Sequence, residues 1–271
     1  MTGNPLMTDV LLSVKDLSVR FGGVLAVNKV SFDVRRGEVF TLIGPNGAGK
    51  TTVFNLISRI YQPTSGEIEF DGKVLTNMAP HGIAAMGIAR TFQNIELFEY
   101  ATVLQNLLIG FHTHRSCGLL AELFFTPAAR RSELAARRKA EEVIDLLKLQ
   151  HYRDLHVAGL PYGVRKVVEL ARALCTEPKL LLLDEPSSGL NVEETEDMAW
   201  WIQDIQEELG VTVLMVEHDM SLVSHVSDRV LAMNQGEVLF QGSPGEVERN
   251  PAVIEAYLGT VSDVASLRRP A

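Results

Sequence analysis

Apolar and polar positions trade places along this chain in blocks of distinct period. Val30, Phe32 and Val34 alternate with Ser31, Asp33 and Arg35, which predicts a half-buried strand. Val39 to Ile43 is nearly all apolar, the pattern of a strand covered on both faces. Ile68 and Phe70 alternate again and stop at the turn dipeptide Asp71-Gly72. Ser132 to Leu149 is rich in Ala, Leu, Glu, Arg and Lys and predicts a helix. Leu134, Val143, Ile144 and Leu147 are its expected packed face, and Arg137, Arg138 and Lys139 a solvated one. Leu180 to Leu183 and Val211 to Val216 read as buried strands around a further helix. Asn191 is that helix's expected N-cap, with Glu194 three residues on and Glu193 and Glu196 in the first turn. Met198, Ile202, Ile205 and Leu209 space one apolar face, and Trp200 and Trp201 are expected to pack. Strand, helix, strand in this order implies a parallel sheet and an α/β fold.

Composition narrows the class. The 271 residues are 46% hydrophobic and 22% charged, room for one large domain or two small ones. The helical middle, from about Asn94 to Ala158, reads as an insertion into one domain. A net charge of −9 argues against broad nucleic-acid binding. Cys117 and Cys175 have no metal-ligand spacing and read as small apolar residues of a reducing compartment. No apolar run approaches the roughly 18–20 residues of a membrane-spanning helix. Met1 to Asp9 lacks the basic and apolar regions of a signal peptide and reads as a flexible leader. Work at a membrane would therefore need a partner.

The chemistry begins at Gly44-Pro-Asn-Gly-Ala-Gly-Lys-Thr51, which fits G-x-x-x-x-G-K-[ST] between the buried strand 39–43 and an apolar helical stretch, Val53 to Ile60. The loop of Gly44, Pro45, Asn46, Gly47, Ala48 and Gly49 can curl so that several of its N–H groups, Pro45 having none, point at phosphate oxygens, and the helix starting near Thr52 adds its positive end. Lys50 would neutralise the β- and γ-phosphates, and Thr51 would offer a hydroxyl to Mg²⁺. Asp184 and Glu185 close the strand Leu180 to Leu183, where parallel sheets bind ligands. Asp184 can hold Mg²⁺ through water and Glu185 can take a proton from an attacking water; taken alone, the pair is equally an ordinary strand end. His218 also follows a buried strand, and Phe21 and Gln93 flank the loop, but alone each of the three is as easily a core or surface residue.

The stretch Leu160-Pro-Tyr-Gly-Val164, leading into Arg165 to Leu174, completes an ordered set of motifs. With it the chain resembles the ABC ATPase family from about residue 10 to 259. By that resemblance Gly44–Thr52 is the Walker A loop, Gln93 the Q-loop, and 160–164, with Tyr162 and Gly163, the signature loop. Leu180–Glu185 is Walker B with the catalytic glutamate, Ser188–Asn191 the D-loop, His218 the switch histidine, and Phe21 the adenine-stacking aromatic. Arg90 to Asn94, Ser187 to Asn191, Val216 to Met220 and Asn250 to Gly259 are most similar to the ATPases of branched-chain amino-acid uptake systems. Pro161 and Val164 stand where the family usually has Ser and Gln, and Asn191 stands where it usually has Asp.

The resemblance implies a RecA-like core, an antiparallel β subdomain around the adenine, and a helical subdomain inserted at about 94–165, within a domain of residues 10–259 that a tail, 260–271, follows. It implies ATP and Mg²⁺, with Lys50, Gln93, Glu185 and His218 catalytic and Thr51, Gln93 and Asp184 at the metal. It implies a second ATPase subunit, the same or a paralogue, facing this one head to tail, so that each ATP lies between the Walker motifs of one and the signature loop of the other. It further implies permease subunits in the inner membrane, docked in part by Gln93 to Tyr100 with Leu97 and Phe98 exposed, and a periplasmic solute-binding protein. The rivals are an ABC ATPase acting on nucleic acid or the ribosome, which would show two cassettes or a sustained heptad run, and a P-loop kinase, which lacks a signature loop.

Overall fold

The computed structural model describes residues 10–91, 95–111 and 127–258. Gln93, Cys117, the leader 1–9 and the tail 260–271 lie outside the described residues. Ten strands are described: β1 (Val10–Phe21), β2 (Val24–Arg35), β3 (Val39–Ile43), β4 (Ser65–Phe70), β5 (Lys73–Val74), β6 (Ile88–Arg90), β7 (Leu180–Asp184), β8 (Thr212–Val216), β9 (Arg229–Asn234) and β10 (Glu237–Gly242). The described α-helices are α1 (Lys50–Ile57), α2 (His81–Ala85), α3 (Val103–Gly110), α4 (Pro127–Leu146), α5 (Tyr162–Leu174), α6 (Val192–Leu209), α7 (Met220–Val226), α8 (Pro244–Arg249) and α9 (Pro251–Leu258).

Two sheets organise them. One is antiparallel, in the order β2-β1-β4-β5. The other runs β10-β9-β3-β8-β7-β6 and is parallel except for the β9–β10 hairpin at its edge. The all-apolar strands are explained by a core on each face. Phe40, Leu42, Leu180, Leu182, Leu214 and Val216 join α1 and the antiparallel sheet in one cluster. Val39, Leu181, Leu183, Val213 and Met215 point the other way, against α3, α4, α5 and α6. A third cluster seats Val247 of α8 and Val253 of α9 on Ile43, Val230 and Ala232.

Several expectations are corrected. The helix expected over 132–149 is α4, which begins at Pro127 and ends at Leu146; Lys148 turns the chain at φ 55°. Leu134 is not on its packed face but 58% exposed. At 100° per residue it falls about 180° from Val143, whereas Ala140, Val143, Ile144 and Leu147 share the buried side. The stretch 53–60 is helical only to Ile57, because Arg59 takes φ 59°. Met198, Ile202 and Ile205 are buried as expected, but Leu209, the last residue before the left-handed Gly210, is exposed. Trp201 packs on the core, while Trp200 is exposed, its ring edge-on to His225. Asn191 caps α6 in a capping box with Glu194.

Candidate functional site

The strands of the large sheet deliver the expected residues to one end. β3, buried throughout, runs straight into Gly44, whose φ of 150° and close approach exclude a side chain: a Cβ there would lie 2.2 Å from the Met233 carbonyl oxygen. At the loop's far end Gly49, at φ 99°, is the N-cap of α1, and its Cβ would meet the Ala26 carbonyl oxygen at 2.7 Å. The loop is thus wedged between β9 and β2, which brings the β1–β2 hairpin beside it. Ala48 donates to the Pro45 carbonyl and accepts from Gly236. Asn46, Gly47 and Thr51 are exposed, and Pro45 and Thr52 are half-buried.

Lys50 is buried, and its ammonium donates to the Gly44 carbonyl at 2.6 Å and that of Pro45 at 3.2 Å. Burial lowers its pKa, and the negative charges of Glu185 and Asp184 work against that shift. The lysine and the two acids, distant in sequence, therefore share one electrostatic neighbourhood. Asp184 ends β7, buried, with Oδ2 accepting from Arg90 at 2.8 Å. Arg90 also donates to Asn55 and Ser58 of the α1 region and lies over the Phe54 ring. Glu185 follows at φ 51°, in the left-handed region, with its N–H donated to the Val216 carbonyl.

Glu217, fully buried, is an organiser that sequence reading passed over. Its Oε1 accepts from Ser187 N–H at 2.9 Å, and its Oε2 accepts from His218 N–H at 2.7 Å and Asp219 N–H at 3.1 Å. One carboxylate thus ties the loop after β7 to the loop after β8. A glutamate directly after the apolar run Val213–Val216 was the available signal. The His218 side chain is 56% exposed, at the carboxyl end of β8. Phe21 ends β1, 44% exposed, its ring edge-on to Tyr61 at 5.0 Å between centroids. Arg90, quoted in the sequence only as part of a motif, was not expected to hold Asp184.

The loop 160–164 was expected to precede its helix. Instead Pro161 is the N-cap of α5, and Tyr162, Gly163 and Val164 form the first turn. Their N–H groups have no carbonyl of the same helix to reach. The Tyr162 ring covers Gly189, and Glu194 lies over Gly163. Cys175 is buried, its thiol pushed up to about 12 by desolvation, in keeping with a packing residue.

A family model described as "ABC transporter" matches residues 27–188. One described as "Branched-chain amino acid ATP-binding cassette transporter" matches residues 237–263. The chain is similar to the high-affinity branched-chain amino acid transport ATP-binding protein BraF of Pseudomonas aeruginosa, 45% identical over 253 residues that cover 93% of this chain and 99% of that protein. It is similar to LivG of Escherichia coli strain K12, 42% identical with the same coverage of both. Among solved structures it resembles an ATP-binding cassette of an ABC transporter in its ADP conformation, with a TM-score of 0.81, 32% identity, and coverage of 92% of this chain and 99% of that one. A nucleotide-free ATP-binding cassette matches with a TM-score of 0.80 at 32% identity, with the same coverage.

Proposed function

Because the chain belongs to the ABC transporter family, we infer that it is the ATP-hydrolysing subunit of an importer and that its solute is a branched-chain or related amino acid. The observation that carries the hydrolytic reading is convergence: the phosphate loop, Asp184-Glu185 and His218 all sit at the carboxyl ends of β3, β7 and β8. The solute rests on relatives such as BraF and LivG, which are named for branched-chain amino-acid transport.

In this reading ATP lies on the phosphate loop with its adenine against Phe21. Lys50 releases its hold on the Gly44 and Pro45 carbonyls to meet the β- and γ-phosphates. Glu185 takes the proton of the attacking water, and His218, exposed at the rim, faces the γ-phosphate. The donor set fits Mg²⁺: the Thr51 hydroxyl is exposed on the first turn of α1, and Asp184 keeps Oδ1 while Arg90 holds Oδ2. When bound, Mg²⁺ neutralises charge on the transferred phosphoryl group. Gln93, also assigned to the metal and to catalysis, lies outside the described residues. The first turn of α5 points its N–H groups at the nucleotide of a second ATPase subunit.

No described helix is long and apolar enough to cross a membrane, so in this reading permease subunits hold the chain peripherally at the cytoplasmic face. A groove of about 380 Å³ offers the dock, with apolar Ile83, Ile88 and Ile109 beside charged Arg90, Glu169 and Arg172. Phe98, expected on the dock, is 58% exposed, on a loop that Asn106 pins through both its N–H and its carbonyl. Leu97, expected exposed, is half-buried against the core. A photo-crosslinker at position 98, with ATP present and absent in solubilised membranes, is expected to capture a polytopic membrane protein. A folded variant that captures none in either state overturns the dock, and one that captures only nucleic acid overturns the transport reading.

A further inference from the structure

Lys166 lies in the second turn of α5 and is only 6% exposed. Its ammonium donates to the Glu185 carbonyl at 2.9 Å and to the Pro186 carbonyl at 3.2 Å. Its Nζ stands 5.9 Å from the centre of the Tyr162 ring, one turn back on the same helix. A lysine in such a place is costly: burial lowers its pKa, against the pull of Glu217, Glu169, Glu185 and Asp184. A leucine or methionine would fill the same space without that cost, so packing does not account for the charge.

What the charge meets is a strained turn. Glu185 holds φ 51°, a left-handed conformation that residues with a side chain rarely adopt and that persists only when its surroundings hold it. Lys166 binds the carbonyls of this residue and the next, while Glu217 binds the N–H of Ser187 from the other side. The turn is held by a buried cation on its oxygens and a buried anion on its nitrogen.

We propose that Lys166 is a positioning residue for hydrolysis: from the helix that opens with the signature loop, it fixes the backbone turn that aims the Glu185 carboxylate. The loop that serves a partner's nucleotide and the base that serves this chain's own are then one mechanical unit. The proposal rests on Glu185 being the base, as assigned above.

The test measures ATP turnover, KM and Tm on the full-length chain, at concentrations where turnover per chain no longer rises. Lys166→Met keeps the apolar stem and removes the donor; kcat should fall about tenfold or more, with KM within about threefold. Lys166→Arg can still donate to both carbonyls and should recover most of that loss. A kcat for the Met variant within about threefold of the parent overturns the proposal. So does an equal loss in Met and Arg that follows their Tm, as a merely structural lysine would give. If the Met variant does not fold, Lys166→Gln takes its place: its shorter amide reaches one carbonyl at most, and an unchanged kcat is again the overturning result. Glu185→Gln run alongside separates the two ideas. Full turnover there removes the base itself, whereas an inactive Gln variant beside a fully active Met variant removes only the role of Lys166.

Discussion

At the scale of single residues, Lys50 and Glu185 occupy one electrostatic neighbourhood and are expected to fail differently. Glu185→Gln keeps shape and hydrogen bonding while losing the base, so turnover should drop by roughly 10²–10⁴ with ATP affinity retained. Lys50→Ala should weaken ATP binding itself. It also strips the ammonium from the Gly44 and Pro45 carbonyls, so the empty loop changes along with its charge. Equilibrium binding of ATP and steady-state turnover, measured on both variants, distinguish the two; a Glu185→Gln chain that turns over normally would remove the assignment.

At the scale of the element, α5 decides what Pro161 means. In the proposed reading a serine there would offer a hydroxyl to a partner's γ-phosphate, a contact proline cannot make, and a hydrogen bond to a charged group contributes roughly 1.5–3 kcal/mol. Yet Pro161, at φ −54° and ψ 153°, is the N-cap, so the helix start and its N–H groups are intact without that hydroxyl. Pro161→Ser is therefore expected to change turnover of the assembled transporter by less than about tenfold, the equivalent of about 1.4 kcal/mol. Gly163→Asp should nearly abolish it. A Cβ at 163 would lie 2.3 Å from Glu194 Oε1, so the new carboxylate meets another carboxylate as well as the nucleotide. A gain far above tenfold from serine would mark this loop as the weaker half of an asymmetric pair.

At the scale of the molecule, Asp71 links the two sheets. It sits in the β4–β5 turn of the antiparallel sheet and pairs with Lys179, at the foot of β7, at 2.5 Å, and with Arg36. Those two hydrogen-bonded cations hold its carboxyl down at about 2, below the ordinary 3.8. The stabilisation is therefore complete above about pH 4 and is lost as pH falls towards 2. The groups are partly exposed, so its worth at pH 7 is at most about 1 kcal/mol. Asn tolerates the φ of 49° at this position, so Asp71→Asn removes the charge without disturbing the turn. Urea midpoints taken across pH 2–5 should fall more steeply for the parent than for the variant. Parallel curves would show that the link is idle.

The periods, the chain order of the motifs and the acids that close apolar strands are all legible in the linear chain. Each of these is written in residues a few positions apart. An all-apolar strand announces two covered faces, and Asn191 with Glu194 announces a helix start, because the physics responsible acts over one turn or one pleat. Even at this range, side could be misjudged: Leu134 has the right chemistry for a core and the wrong angle around α4. The contacts that close over distance became visible only in the folded chain. Arg90 reaches Asp184 across 94 positions, Glu217 reaches Ser187 across 30, and Lys166 reaches Glu185 across 19. No local pattern encodes these pairs. They exist because parallel strands bring their carboxyl ends to one edge, where buried charges must find partners among whatever the fold has placed beside them.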